Sequence, residues 1–231
     1  MKGIWRWAGT ALLIHALLFW PGIAAAQTDA RAAWSVASPS IFEVEPTWPG
    51  YARPGFGAPA GTAPEGTGIA VLKSGVIATA LHVVAKATEI HVRAPDGTVL
   101  PAELLRADPR TDLAFLRIDA ETVPIRLAED RPETGAPVCA LSNAFGLGIG
   151  ITCGVVSANR RSGVGFNRVE DFLQTDAALN PGSSGGALVD LEGRLVGLLS
   201  AIFTKDSDAN IGVNFAVSTE LLLKSVPPEL R

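Results

Sequence analysis

The chain has 231 residues, of which 48% are hydrophobic and 18% charged, and its formal net charge at pH 7 is −4. This modest acidity, without any stripe of basic residues, argues against nucleic acid binding. The two cysteines and three histidines show no spacing typical of a metal site, and no cofactor is expected.

The N-terminus has the features of an export signal. Lys2 and Arg6 provide positive charge, residues 8–20 are mostly apolar, and Ala24-Ala25-Ala26 offers the small side chains of a cleavage site. The apolar run is shorter than the roughly 20 residues of a membrane span, and no later segment is long and apolar enough. We therefore expect cleavage near Ala26 and a periplasmic or secreted domain over residues 27–231, with an uncleaved signal anchor as the alternative.

Residues 46–66 differ in composition from their surroundings. Five prolines lie among glycines there, which predicts a long segment without regular secondary structure. Such a segment is either functional or a flexible surface insertion, and the insertion is the simpler interpretation. Aromatic residues beside it, such as Trp34 and Trp48, would pack on the domain or contact a partner subunit.

From about residue 67 onward, short apolar runs alternate with turn signals such as Lys73-Ser74-Gly75 and Pro95-Asp96-Gly97. Many short strands at this spacing predict an all-β barrel or sandwich. One helix is predicted, over about 218–226, because Ser218 can cap its N-terminus and Pro227-Pro228 ends it. The apolar runs are Ile69–Leu72, Val76–Leu81, Ile90–Val92, Leu113–Ile118, Val138–Leu141, Ile151–Val156, Leu195–Ile202 and Val213–Val217.

The two cysteines, Cys139 and Cys153, lie in two of these runs, which a glycine-containing loop separates. Export permits a disulfide, and a hairpin formed by the two runs would place the cysteines opposite each other. Two buried free thiols are the alternative, and the sequence leaves both open.

The stretch Asn180-Pro181-Gly182-Ser183-Ser184-Gly185-Gly186 places a serine in a turn with glycines on both sides. Glycine adopts positive φ angles and has no Cβ, so a peptide carbonyl can approach the hydroxyl and neighbouring N–H groups can converge. A glycine–serine string alone is more often an ordinary loop. A nucleophilic serine also needs a base, usually a histidine held by a carboxylate.

Removal of the signal would leave two histidines as candidate bases. His91 lies in Glu89-Ile90-His91-Val92-Arg93, where the alternation of polar and apolar residues is typical of a solvated strand position. His82 follows the apolar run that begins at Val76. A histidine among apolar residues is more often part of the core, but at the end of a strand its side chain can be both braced and accessible.

Asp112 is a candidate for the orienting carboxylate. It opens the run Leu113–Ile118, and an acid at the mouth of a buried strand can hold an imidazole. A simple turn residue, like Asp96 or Asp108, is the alternative, and spacing alone does not decide among the three.

Three blocks of the chain resemble the catalytic blocks of HtrA-type serine proteases, which belong to the trypsin-like two-barrel superfamily. These blocks are Thr79–Val84, Asp108–Ala114 and Gln174–Gly186, in the family order of His, Asp and Ser. Segments 197–202 and 210–217 resemble those that line the family's substrate groove. The resemblance covers most of residues 66–217 and implies an all-β fold of two six-stranded antiparallel β-barrels, about 35–120 and 121–217, followed by the short helix.

The resemblance also implies a role for each matched position. Ser184 is the nucleophile, His82 is the general base and then the general acid, and Asp112 orients the histidine. The N–H groups of Gly182 and Ser184 form the oxyanion hole. The implied function is that of an exported serine endopeptidase that hydrolyses unfolded or damaged polypeptides through an acyl-enzyme.

The specificity pocket follows from the same resemblance. An uncharged floor and walls are expected to favour Val, Ala or Ile over Arg or Phe before the scissile bond, with loose selectivity because one methylene changes binding by only about 1–3 kcal/mol. The residues assigned to substrate binding are Ala178 at the floor, Ser200, Ala201 and Ile202 on one side, and Gly212, Val213 and Asn214 on the other.

The sequence departs from related proteins in two ways. HtrA-type proteins typically carry a PDZ domain, and none is expected in the residues after the second barrel. Ser183 stands where digestive trypsin-like enzymes have an aspartate that captures a newly cut N-terminus, so that route of activation is not expected. The family often assembles as trimers through N-terminal aromatic contacts, and a homotrimer is compatible with the aromatic residues here.

Two other functions are compatible with the sequence. A binding or chaperone-like protein could use the same scaffold without catalysis, although the complete set of His82, Asp112 and Ser184 argues against this. An esterase-type hydrolase is the second alternative. The G-x-S-x-G string of α/β-hydrolases is present, but the parallel-sheet context that this motif needs is not predicted.

Overall fold

The computed structural model describes residues 30–49, 66–202 and 211–227, without the side chains of residues 201 and 202. The expected signal peptide at residues 1–26, most of the Pro/Gly-rich segment and residues 203–210 lie outside the described residues. No helix in the described part of the chain is long and apolar enough to cross a membrane.

A helix that the sequence analysis did not predict precedes the first strand. Residues 30–37 are helical (α1) and are followed by a 3-10 turn at Ser38–Ser40. Alanine has the highest helix propensity, and Ala33 and Ala37, one helical turn apart, are both fully buried. Trp34 of the same helix packs against the core. Packing on the domain was one of the two alternatives expected for the aromatic residues of this region.

The first sheet contains seven antiparallel strands, in the spatial order β5-β4-β1-β2-β3-β7-β6. Only Ala102 separates the two edge strands along the chain, so the sheet curls until its edges nearly meet. The seven strands thus correspond to six, one of them bent at Ala102. The strands are β1 (Ile41–Thr47), β2 (Gly66–Leu72), β3 (Val76–Ala80), β4 (Glu89–Arg93), β5 (Val99–Pro101), β6 (Glu103–Asp108) and β7 (Leu113–Arg117).

Strand β1 extends through Pro46 to Thr47, so the irregular segment predicted to begin at residue 46 starts after the strand. The register between β1 and β2 ends at the pair Val44 and Gly66. Beyond that pair, the strand paired with β1 among the described residues is β4, and a proline without an N–H is tolerated at such an edge position.

The second sheet is a closed six-stranded barrel with the order β10-β13-β12-β11-β8-β9. A short helix, α3 (Thr219–Ser225), follows it, and the Ser218 hydroxyl caps this helix by accepting from the N–H of Leu221. The all-β prediction and the C-terminal helix are therefore confirmed. The strands are β8 (Pro137–Ser142), β9 (Gly150–Arg161), β10 (Phe172–Thr175), β11 (Ala187–Val189), β12 (Leu195–Ile202) and β13 (Asn214–Ser218).

A hairpin of β8 and β9 places Cys139 directly opposite Cys153. The two cysteines form a disulfide with an S–S distance of 2.09 Å. Of the two states that the sequence left open, the structure contains the disulfide.

The two sheets share one apolar cluster. It includes Ile69 and Phe115 of the first sheet together with Leu141 and Phe215 of the second. Because protein cores are closely packed, this shared cluster holds groups at the junction of the two sheets in fixed relative positions.

Candidate active site

His82 is presented by α2 (Leu81–Val84), a single turn that follows β3 directly. The N–H of Leu81 donates to the carbonyl oxygen of Asp112 at 2.8 Å, and the N–H of His82 donates to Asp112 Oδ1 at 2.9 Å. His82 Nδ1 lies 2.6 Å from Asp112 Oδ2. A carboxylate only accepts hydrogen bonds, so the proton of the neutral imidazole is on Nδ1 and Nε2 keeps its lone pair.

Asp112 has a backbone φ of 58°. This left-handed conformation is uncommon for residues other than glycine and is best tolerated by asparagine and aspartate. It lets the backbone and the side chain of Asp112 contact α2 together. A third donor, Ser200 Oγ, lies 3.3 Å from Asp112 Oδ2, and the Asp112 side chain is 18% exposed. The carboxylate is thus mostly shielded from water and held by donors from both sheets.

The other candidate carboxylates do not contact His82. Asp108 accepts hydrogen bonds from Arg110, and the same guanidinium holds the pKa of Asp108 below its ordinary value. Asp96 accepts from the N–H of Thr98 within its own turn. His91 lies in β4, opposite Glu45 of β1 and Pro101 of β5. Among the described residues, Asp112 is therefore the carboxylate that meets a candidate base.

Ser184 lies in the turn between β10 and β11. Its Oγ donates to the carbonyl oxygen of Ser200 at 3.3 Å. His82, Asp112, Ser184 and Ser200 line one cleft of about 580 Å³ between the two sheets. The structure thus brings together the three residues that the sequence analysis assigned to a catalytic triad. The other residues that line the cleft are Leu81, Ala85, Pro109, Phe166 and Asn167.

Glycine is required at two positions of this turn. Gly182 and Gly185 have φ angles of 95° and 86°. A Cβ on Gly182 would lie 2.2 Å from the carbonyl oxygen of Asn143, and one on Gly185 would lie 2.0 Å from that of Thr67. Neither the conformation nor the space allows a side chain, because backbone from both sheets presses against the turn.

Two N–H groups of the turn have no acceptor among the described residues, namely those of Gly182 and Ser184. The other N–H groups from Ser183 to Gly186 donate to backbone carbonyls. Two free donors, one residue apart in the chain and beside a serine hydroxyl, are what the stabilisation of an oxyanion requires. The bonds that the neighbours make are Ser183 to Asn180 O (2.9 Å), Gly185 to Leu199 O (2.7 Å) and Gly186 to Ser183 O (3.0 Å).

Of the residues assigned to the specificity pocket, Ala178 is exposed, and its carbonyl oxygen accepts from Thr152 Oγ1 at 2.7 Å. Asn214 is fully buried, and its Nδ2 donates to the carbonyl oxygen of Ala177 at 2.8 Å. Its side chain therefore supports the backbone beside Ala178. Gly212 and Val213 are half-buried just before β13, and Ala201 and Ile202 end β12.

Ser200 was assigned to the same pocket, but its hydroxyl donates to the carboxylate of Asp112 at 3.3 Å, and the residue is only 4% exposed. The side chain of Ser200 thus acts on the carboxylate, while its carbonyl oxygen accepts from Ser184. This double contact has no local signal in the sequence, since it depends on how the two sheets pack.

The loop before β10 contributes Phe166 and Asn167 to the cleft, and the sequence analysis assigned neither of these two residues to the site. Asn167 Nδ2 donates to the carbonyl oxygen of Thr111 at 3.1 Å, which ties the loop to the residue before Asp112. The Glu170 carboxylate accepts from four backbone N–H groups, those of residues 164–167. Burial raises the pKa of Glu170, but these donors outweigh it and hold the pKa below its ordinary value.

The loop's sequence signal, an acidic residue after a glycine turn, is too common to identify it.

Within the residues that the structure describes, no group of three or more histidine, cysteine, aspartate or glutamate side chains is arranged to hold a metal ion.

The amino-acid sequence of this chain is similar to those of known proteases. A family profile described as a trypsin-like peptidase domain matches residues 66–198. The probable periplasmic serine endoprotease DegP-like of Chlamydia trachomatis is 40% identical over 166 residues, which cover 71% of this chain and 33% of that protein. The periplasmic serine endoprotease DegP of Escherichia coli K12 is 42% identical over 151 residues, 64% of this chain and 32% of that one. The chain thus spans about a third of the length of these curated relatives.

Solved structures give the same result for the fold. The HtrA-type protease AlgW with a tripeptide has a TM-score of 0.75 and 36% identity, covering 84% of this chain and 61% of that one. The serine endoprotease from Yersinia pestis has a TM-score of 0.69 and 33% identity, with 84% of this chain and 64% of that one covered.

Proposed function

The chain belongs to the trypsin-like peptidase family, with HtrA-type proteases among its relatives, and we propose that it is a serine endopeptidase. The observation that carries this proposal is the 2.6 Å contact between His82 Nδ1 and Asp112 Oδ2, in the cleft that also contains the Ser184 hydroxyl. This contact leaves Nε2 unprotonated beside an accessible site, since the His82 side chain is 50% exposed.

In the acylation step, the Ser184 hydroxyl turns about χ1 from the carbonyl oxygen of Ser200 towards His82 Nε2. Nε2 takes the hydroxyl proton as Oγ attacks the scissile carbonyl, and the Asp112 carboxylate stabilises the imidazolium that forms. His82 then gives the proton to the leaving amine, and an ester remains on Ser184. In the second step, water loses a proton to His82 and attacks the ester. His82 then returns the proton to Ser184 Oγ as the ester bond breaks, which releases the new carboxyl terminus and restores the hydroxyl.

The oxyanion of each tetrahedral intermediate is stabilised by the N–H groups of Gly182 and Ser184. Support for this role comes from their lack of other acceptors among the described residues. A preorganised donor of this kind typically contributes about 2.7–4 kcal/mol to lowering the barrier.

We propose unfolded or damaged polypeptides as substrates, cleaved after small or medium aliphatic residues. The absence of a charged side chain at Ala178 supports this preference, because no carboxylate there could pair with an arginine of the substrate. Efficient cleavage after arginine in a peptide-library digest would contradict it. The curated relatives are periplasmic by name, which supports the periplasm as the compartment, and assembly into a homotrimer remains a prediction.

The experiment compares casein digestion by wild type, Ser184→Ala and Ser74→Ala. Ser74 lies exposed in the turn between β2 and β3, remote from the cleft, and its variant should match wild type. Ser184→Ala should lose activity by a factor on the order of 10⁶. Equal digestion by wild type and Ser184→Ala would refute the assigned nucleophile. A folded wild type that neither digests casein nor reacts with a fluorophosphonate probe would indicate a binding protein instead.

A further inference from the structure

Thr67 of β2 is fully buried and makes three hydrogen bonds to the second half of the chain. Its N–H donates to the carbonyl oxygen of Ser184 at 2.9 Å, and its Oγ1 donates to the carbonyl oxygen of Gly182 at 2.8 Å. The same Oγ1 accepts from the N–H of Asn143 at 2.9 Å. One hydroxyl can donate one hydrogen bond and accept others, so both contacts of Oγ1 form at once.

These contacts determine how the peptide planes of the serine turn are oriented. The C=O and the N–H of one peptide unit lie in a common plane and point in opposite directions. The free N–H of Gly182 belongs to the plane that begins at Pro181, and the free N–H of Ser184 belongs to the plane that begins at Ser183. The plane between them carries the Gly182 carbonyl, which Thr67 Oγ1 holds.

The angle between the two free N–H groups therefore depends on this intervening plane, which Thr67 Oγ1 holds at its carbonyl and Asn180 O holds at its N–H. The N–H of Thr67 also holds the plane that begins at Ser184, through the Ser184 carbonyl. The planes that carry the two free N–H groups are held at their carbonyls by the N–H groups of Phe145, which donates to Pro181 O at 2.7 Å, and Gly186, which donates to Ser183 O at 3.0 Å.

The hydrogen bond that Thr67 Oγ1 accepts also supports the serine turn, through a second chain of contacts. Asn143, which donates to Thr67 Oγ1, begins a short turn in which Phe145 has a φ of 58°. That unusual conformation accompanies the hydrogen bond from Phe145 to Pro181, which fixes the plane of the Gly182 N–H. The Thr67 hydroxyl thus supports the first free donor through Asn143 and the second through Gly182.

We propose that Thr67 is a positioning residue for the oxyanion hole, whose hydroxyl sets the directions of the Gly182 and Ser184 N–H groups. It does not touch the substrate. Because Thr67 O accepts from Thr79 Oγ1, three residues before His82, Thr67 also couples the donors to β3, the strand that leads into α2 and the base. This inference rests on the proposed function, since the oxyanion hole is part of that proposal.

A buried threonine could instead serve stability alone, and Thr122 provides the matched case. Thr122 is 7% exposed, and its Oγ1 donates to the carbonyl oxygen of Leu72 at 2.6 Å, in the same half of the chain but outside the cleft. Thr67→Val and Thr122→Val each remove one buried hydroxyl and keep the side-chain volume. Both variants should lose stability, Thr67→Val more because its hydroxyl makes two hydrogen bonds and that of Thr122 makes one, but only Thr67→Val should lose catalysis.

The experiment measures kcat and KM on one peptide substrate, below the unfolding transition, for wild type, Thr67→Val, Thr67→Ser and Thr122→Val. Loss of a direct oxyanion donor lowers kcat by about 10²–10³, and misdirected donors should lose less, about tenfold to hundredfold. We expect this fall in kcat for Thr67→Val, with KM within about threefold of wild type. Thr67→Ser should recover most of the loss, and Thr122→Val should keep the kcat of wild type.

An unchanged kcat in folded Thr67→Val would overturn the inference, as would equal losses in Thr67→Val and Thr122→Val. If Thr67→Val does not fold, Thr67→Cys decides, because a thiol is a weaker donor of similar size. Activity of Thr67→Cys equal to that of Thr67→Ser would then contradict the proposal, and a lower kcat would support it. Absence of Ser184-dependent activity in wild type would refute the proposed function itself, which is a distinct result.

Discussion

The hydroxyl of Ser184 donates a hydrogen bond to the carbonyl oxygen of Ser200, 3.3 Å away. The Ser200 side chain separately donates to Asp112 Oδ2, also at 3.3 Å. One residue therefore contacts the proposed nucleophile through its backbone and the proposed orienting acid through its side chain. The two contacts can be separated by mutation, because only the second needs the hydroxyl.

Ser200→Ala removes a donor from Asp112 and leaves the carbonyl that Ser184 contacts. A hydrogen bond to a charged group typically contributes about 1.5–3 kcal/mol. The bond from Ser200 Oγ to Asp112 Oδ2 is long, at 3.3 Å, so we expect a contribution at the lower end of this range. We expect kcat to fall by about tenfold with little change in KM, because the carboxylate then orients the imidazole less firmly. Steady-state kinetics on a peptide substrate would measure both constants.

Ser35→Ala is the control for this prediction. Ser35 is exposed in α1, and its hydroxyl contacts only the carbonyl oxygen of Ala32 among the described residues. Its variant should match wild type. A kcat for Ser200→Ala equal to that of wild type would show that the third hydrogen bond to Asp112 does not contribute to orientation.

The sequence could predict those residues of the site that stand in distinctive contiguous motifs, but not those whose role depends on contacts between the two sheets. His82, Asp112 and Ser184 each stand in a contiguous block whose residue types are chemically distinctive, and the structure brings them into one cleft. Thr67 has no such local signal, since a threonine in a strand is ordinary. Its contacts appear only when the two sheets dock, and the same holds for the contact between Ser200 and Asp112.

The fold shows the same division. Apolar runs bounded by turn residues predicted strands well, because burial and turn formation are both local requirements. The runs did not include β1, β5, β6, β10 and β11. Most residues of β6 are exposed and show no alternation of polar and apolar side chains, so this strand has no local signal. Helix α1 was not predicted either, since its first alanine, Ala30, lies only four residues after the expected cleavage site at Ala26.

A buried guanidinium ties the C-terminal helix to the second barrel. Arg131, whose side chain is only 8% exposed, makes two hydrogen bonds to Asp171, at 2.8 and 2.6 Å, and one to Glu220 at 2.9 Å. Asp171 also accepts from the hydroxyl of Ser218, the residue that caps α3. These contacts lower the pKa of Asp171 and of Glu220, chiefly through the hydrogen bonds from Arg131.

A carboxyl group whose pKa is lower in the folded state stabilises the fold above its unfolded pKa, near 4 for these residues. The contribution is lost as the pH falls through the folded pKa. We therefore expect the free energy of unfolding to be constant near neutral pH and to decline below about pH 4. In Asp171→Asn the value at pH 7 should be lower by about 1–3 kcal/mol, and the decline in acid should be shallower.

Urea denaturation at several pH values would measure both effects. Glu121→Gln is the matched control, because the pair of Lys73 and Glu121 is exposed on both sides, and such pairs contribute about 0–1 kcal/mol. Equal losses in Asp171→Asn and Glu121→Gln would contradict the stabilising role assigned to Arg131.

The disulfide between Cys139 and Cys153 closes a short loop, since 14 positions separate the two residues. A cross-link across a loop of this length restricts the unfolded chain and typically stabilises the fold by about 3 kcal/mol. We expect the double variant Cys139→Ala with Cys153→Ala to lose about that much free energy of unfolding. A reducing agent should lower the Tm of wild type and leave that of the double variant unchanged. Free thiols titrated in the oxidised wild type would contradict the prediction.

The backbone contact between the serine turn and β2 leads to a last prediction, for Gly185→Ala. A Cβ at Gly185 would lie 2.0 Å from the carbonyl oxygen of Thr67 and 2.3 Å from Thr79 Oγ1. Backbone cannot yield that far without separating β2 from the turn. We expect loss of peptide hydrolysis and a fall in the free energy of unfolding of more than about 3 kcal/mol, as overpacking against rigid neighbours causes.

Gly97→Ala separates this crowding from backbone strain. Gly97 has a φ of 87°, nearly the 86° of Gly185, but a Cβ there would meet nothing within 4 Å. The free energy of unfolding of Gly97→Ala should therefore fall only by the roughly 1–2 kcal/mol that the left-handed conformation costs a residue other than glycine. This variant should keep full activity. Urea denaturation and peptide hydrolysis of both variants would measure the difference. Equal destabilisation would mean that conformation, rather than the close approach of Thr67, makes glycine necessary at position 185.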